Sequence, residues 1–240
     1  MSFVKFPVLA LFLCVVFTLA PVGNAQSTDR AAVEKDIESL RSQIAEKEVL
    51  FLSPSPEDQV KYERFLQQPE SGLCRLMPRE KFDRVLTVRG GGSYYSFVKL
   101  THEYGYGTEI GLEQGTFYTV FAGANLGLIT SLGDLSIEAV DLKHPAADFL
   151  ANYIVPEAEP DARAEYMRIM KGIEGGGSVF RLSVPAKTNT TYVMRSIDYN
   201  NSDVLAVFRV VGQDPDGSLT ILWRILLRVP TPKLIQTEPR

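Results

Sequence analysis

The sequence predicts an α+β protein: an N-terminal helical segment, then a mainly antiparallel β domain with an inserted helical pair. Three observations carry this. Apolar residues recur at helical spacing from Val33 to Ile44. After residue 73, glycine-rich turns separate short runs of β-branched and aromatic residues. Near the end, an Asp214-Pro215-Asp216-Gly217 turn precedes a strict period-two pattern.

The first 25 residues read as a secretory leader. Lys5 precedes an apolar run from Val8 to Ala20, and Pro21 and the small residues Gly23-Asn24-Ala25 follow it. The run is shorter than the roughly 17–25 residues a membrane span needs. Cleavage after Ala25 is expected, with retention as an N-terminal anchor the alternative. Leu13, ahead of Cys14, does not suit a lipoprotein signal. No second long apolar stretch follows, so no transmembrane segment is expected after cleavage, and the protein is expected in the periplasm or outside the cell. Removal of the leader takes away Lys5 and leaves 24 basic against 29 acidic residues, a formal net charge of −5. An acidic chain without a basic stretch argues against nucleic acid as a partner. It also leaves one cysteine, Cys74, so no internal disulfide can form, and a buried thiol is expected.

Residues 28–68 form the helical segment. Val33, Ile37, Leu40 and Ile44 share one stripe among charges of both signs, Asp29 can cap the start, and Ser53-Pro54-Ser55-Pro56 ends the helix. The stripe allows a short coiled coil and thus a homo-oligomer. Only about two heptads precede Lys47, however, where coiled coils want three or four. A second helix is expected over Glu57–Gln67, with Val60, Phe65 and Leu66 partly inward, stopped by Pro69.

Residues 73–230 form the β-rich domain, and 231–240 a tail. Strands are expected at Arg84–Arg89, Ser93–Thr101, Thr108–Leu112, Thr116–Ala122 and Leu126–Leu132. Helices are expected at Pro145–Ile154 and Asp161–Gly172, the second with Ala162, Tyr166, Ile169 and Met170 inward. Strands resume over 180–184 and Thr191–Asp198. Val204–Val211, apolar on both faces, suits a sheet centre, and Ser218–Val229 pairs with it as a hairpin. The similar runs at Gly90–Val98 and Gly175–Ser183, each a glycine triplet and serine leading into a strand, allow two related β units, 90–135 and 175–228.

The glycine triplets lack the Gly-Lys-Ser/Thr ending of a phosphate loop and read as turns. His102, Glu103 and His144 fit no helical zinc motif, and neither a metal nor another cofactor is expected. No Gly-x-Ser-x-Gly elbow occurs. Cys74 lies between leucines, a packing context that argues against a nucleophile paired with His102. The unusual run is His102-Glu103-Tyr104-Gly105-Tyr106-Gly107, which sets an imidazole, a carboxylate and two tyrosines in a glycine-loosened loop. His102, Glu103, Tyr104 and Tyr106 are therefore the candidate ligand-binding residues, for a small molecule, a glycan or a protein. A turn whose tyrosines cover a sheet edge is the competing reading. The function expected is an exported binding or interaction module. A secreted hydrolase using carboxylates or His102, and an envelope component self-associating through the helix, are the alternatives.

Overall fold

Helix α1 (Arg30–Leu52) starts where Asp29 accepts the Ala31 N–H at 3.1 Å, and it runs 23 residues to the Ser53-Pro54 break. The computed structural model describes residues 29–81, 86–105, 107–121 and 125–235. The expected leader, Tyr106, the start of the strand expected at Arg84–Arg89, and residues 236–240 lie outside them. The chain divides into two units, Met1–Leu40 and Arg41–Arg240. Of the first, the described part is the opening half of α1.

The second unit continues from the later half of α1. The helix expected over 57–67 is two, α2 (Pro56–Lys61) and α3 (Glu63–Leu66), broken where Tyr62 leaves helical geometry at φ −104°, ψ 9°. Ser55 caps α2 by accepting Asp58 N–H at 3.0 Å. Phe65 is buried as expected, but Val60 points to solvent. The edge strand β1 (Ser71–Leu76) was not evident in the sequence, because its alternation is short and its partner distant. The expected strand Ser93–Thr101 is only β2 (Tyr94–Tyr95) followed by a tight turn. Ser96 and Thr101 bridge across residues 97–100, and Ser96 Oγ accepts Lys99 N–H at 3.0 Å. Strand propensity loses here to burial, since Phe97 turns inward against Phe208 and Trp223.

Two short strands and a longer one follow: β3 (Ile110–Glu113), β4 (Thr116–Tyr118) and β5 (Leu126–Gly133). Next come α4 (Pro145–Ala151), capped by the His144 ring, and α5 (Glu159–Lys171). On α5, Ala162 and Ile169 are buried, whereas Met170 is exposed. The hairpin β6 (Ile173–Gly175) and β7 (Ser178–Phe180) precedes β8 (Ser183–Pro185). The chain ends in a meander of β9 (Thr191–Asp198), β10 (Ser202–Gln213) and β11 (Leu219–Arg228). The first glycine triplet precedes β2, whereas the second closes the β6–β7 hairpin.

One five-stranded sheet has the order β1-β11-β10-β9-β5, with every pair antiparallel, and a four-stranded sheet runs β2-β3-β4-β8. The period-two pattern of the large sheet separates two cores. Val193, Ile197, Leu205 and Val207 meet α4 and α5, alongside Leu150, Ala162 and Ile169. Tyr192, Met194, Ala206 and Phe208 meet the small sheet, alongside Phe97, Ile110 and Phe117. Helices therefore cover one face of the large sheet and the small sheet covers the other.

On the helical side lies a fully buried ion pair. Arg195 donates to both Asp203 oxygens, at 2.8 and 2.7 Å, and to the carbonyls of Leu150 and Tyr153 at 2.7 and 2.9 Å. Such fork geometry satisfies the guanidinium and ties the end of α4 to the sheet.

Candidate functional site

The last turns of α1 close over β1 and the turn after β2, and a cleft of about 330 Å³ opens between them. Three polar ties hold this geometry. Glu48 Oε1 accepts the N–H groups of Thr87 and Val88 and the Thr87 hydroxyl, fixing the 86–88 segment against the helix. The Arg75 guanidinium donates to Phe51 O at 3.2 Å, a cation at a helix C-terminus, and also binds Asp214 and Asp216 at 2.8 and 2.9 Å. The Arg75 carbonyl accepts His102 Nε2–H at 2.7 Å. Leu52 seals one end: a Cβ on Gly92, which sits at φ +77°, would fall 2.4 Å from Leu52 Cδ2. Only glycine fits there.

The walls are apolar with a few polar groups. Val49, Leu52, Leu73, Val88 and Leu100 supply hydrocarbon, while Glu48, Ser53, Cys74, Tyr95, Thr101 and His102 supply the polar atoms. Burial pushes the Cys74 thiol and the Tyr95 phenol up and the His102 imidazole down, so all three favour their neutral forms. The Arg75 carbonyl can only accept, so His102 carries its proton on Nε2 and leaves Nδ1 as a lone-pair acceptor. The Tyr95 hydroxyl makes no hydrogen bond among the described residues, and its ring lies 4.9 Å edge-on from His102.

At the rim, Leu100 is 64 % exposed and held at φ +56°, and Val49 is 66 % exposed. A branched apolar residue in the left-handed region costs about 1–2 kcal/mol, and here it carries its side chain into solvent. Beneath this turn sits Glu109, 1 % exposed, whose Oε2 accepts Phe97 N–H at 2.6 Å.

Of the four residues singled out in the sequence, the three described ones do not converge. His102 faces the cleft. Glu103 is exposed. Tyr104 leaves in another direction: its hydroxyl donates to Phe121 O at 2.8 Å, and its ring packs 4.7 Å from Tyr94 with the Arg89 guanidinium over it. Tyr106 lies outside the described residues. Tyr95, Leu100 and Val49 were missed because they come from three segments, each ordinary by itself. A wider groove beside α4 and α5 is lined by Asp148, Asn152, Tyr153, Glu165, Arg168 and Glu174; there Tyr153 donates to Glu165, which Arg168 also binds at 2.6 Å. Among the described residues no group of three or more His, Cys, Asp or Glu could hold a metal ion.

Neither a protein-family model, nor a curated protein, nor a solved structure matches this chain. Chemically, the cleft offers apolar contact, an acceptor at His102, hydroxyls at Tyr95, Ser53 and Thr101, and the Glu48 carboxylate on the α1 side. His102 is oriented by a carbonyl rather than by a carboxylate, and the thiol beside it is held protonated.

Proposed function

We propose that this protein is an exported binding module, and that its ligand site is the cleft between the end of α1, β1 and the turn at residues 96–101. The ligand would be a small molecule, or a group on a larger one, with an apolar chain or ring and a hydrogen-bonding head. The single observation behind this reading is Leu100, a strained residue that exposes its side chain at the mouth of an apolar cleft. Strain kept where it aids no core is commonly functional. The cleft volume falls in the range of small-molecule sites, whose walls are mostly apolar with a few placed polar atoms. The leader expected at residues 1–25 supports export.

The cleft can be probed with 8-anilinonaphthalene-1-sulfonate, an apolar fluorophore with an anionic head. One saturable site is expected on the purified protein. Ala45→Trp, which fills the cleft from α1, should remove that site without altering the far-UV circular dichroism, and Tyr95→Phe should weaken it. A site left unchanged by Ala45→Trp would overturn the assignment. N-terminal sequencing of the secreted or periplasmic protein should begin at Gln26, and a chain retained in the cytoplasm would overturn export.

A further inference from the structure

Helix α1 carries a second surface. Val33, Ile37, Leu40, Ile44 and Phe51 are 39, 43, 57, 40 and 46 % exposed. They are turned roughly 100° around the helix from Ala45, Glu48, Val49 and Leu52, which line the cleft, at about 100° per residue. Val33, Ile37, Leu40 and Ile44 are thus exposed although they are among the most apolar residues of α1, and at Phe51 the Arg75 guanidinium lies 5.9 Å from the ring centroid. In heptad terms Ile37, Ile44 and Phe51 occupy one core position and Val33, Leu40 and Lys47 the other. Because the helix continues to Leu52, Phe51 extends the stripe beyond Lys47, and the apolar seam reaches about three heptads.

The occupant follows from residue type and charge. A β-branched residue at the first core position and leucine at the second favour two parallel strands. In a parallel, in-register pair, Asp36 flanks the seam opposite Arg41 of the other copy, an attractive pair made twice by symmetry. Asp29 faces Glu34 in the same arrangement, but Arg30 holds Glu34 at 2.8 Å within its own helix. An antiparallel pair would instead set Glu34 against Glu48, two carboxylates. We propose that α1 pairs with α1 of a second copy of this chain as a parallel two-stranded coiled coil. Lys47 weakens the seam, its charged head reaching out past the core while its stem packs inside. The pairing is therefore reversible.

Sedimentation of the purified protein should give a concentration-dependent dimer. Leu40→Asp should raise the dissociation constant about a hundredfold or more, with the 8-anilinonaphthalene-1-sulfonate site and near-UV circular dichroism unchanged. Lys47→Leu should lower it by about tenfold or more. Val33→Cys should cross-link the dimer on oxidation, since Val33 meets its own copy only in the parallel register and Cys74 is buried. A monomer at all concentrations would overturn the proposal, as would a dimer that survives Leu40→Asp. A dimer of Val33→Cys that fails to cross-link would overturn the parallel register. A monomer that sediments with phosphatidylcholine vesicles would assign the stripe to a membrane instead.

Discussion

Replacing Glu109 by glutamine should change how stability depends on pH. One carboxyl oxygen accepts Phe97 N–H, and the other finds no well-aligned donor. Burial pushes this acid up to about 7, and the Ser96 side chain and nearby backbone N–H groups only partly offset it. The unfolded chain releases the same proton near the ordinary value of 4.5. Between those two pH values the folded state holds a proton that the unfolded state has lost, so stability falls as pH rises. At about 1.4 kcal/mol per pH unit the loss amounts to roughly 3 kcal/mol, complete above neutrality. Glutamine keeps the shape and an acceptor for Phe97 but carries no charge. Urea denaturation from pH 4 to 9 should show the wild type losing stability relative to Glu109→Gln across that window. The variant should match the wild type near pH 4.5 and exceed it at pH 8. Parallel curves for the two proteins would refute the assignment of the buried proton to Glu109.

Leu100→Gly should leave stability level or raise it by up to about 1 kcal/mol, since relieved left-handed strain outweighs the entropy glycine adds to the unfolded chain. The same variant should weaken fluorophore binding, so thermal denaturation and titration together separate strain from packing. Arg195→Ala should cost about 3–5 kcal/mol by leaving Asp203 buried and unpaired, and the double change to methionine and leucine should recover much of that in chemical denaturation. His102 is held below its usual pKa by burial, so its stabilising effect is full above about pH 6.5 and is lost as pH falls through the folded value. Measured in Glu109→Gln, where the opposing trend is absent, stability should drop on acidification below that point, and His102→Gln should flatten the drop.

Where local pattern and long-range packing agree, the sequence is a good guide. Thr191–Asp198 is both the expected strand and the observed one, and Val204–Val211, apolar on both faces, lies in the middle strand of the large sheet. The Asp214–Gly217 turn forms as its proline and glycine suggest, with Gly217 N–H on Asp214 O at 2.9 Å. Residues 97–100 show the opposite case: a run of strand formers folds into a turn because Phe97 gains more from Phe208 and Trp223 than from alternation. The cleft was partly legible. His102 drew notice as one of two histidines in a loosened loop, whereas Tyr104 has the same context but packs against Tyr94. Nothing local distinguishes them, because what separates them is the Arg75 carbonyl on one side and the Arg89 guanidinium on the other, each brought in from another segment.

The pairing of β1 with β11 has a consequence for how the chain acquires its fold. Ser71 faces Arg224 and Leu76 faces Leu219, so the strand bearing Cys74 waits for a partner made far later in the chain. The β9–β11 meander can form from neighbours alone, but the cleft floor closes only when both ends of the β domain meet. A chain in which β11 has not yet been made thus has neither a closed cleft floor nor a complete five-stranded sheet. If the chain is exported as proposed, it would cross the membrane as a thread and close its cleft on the far side.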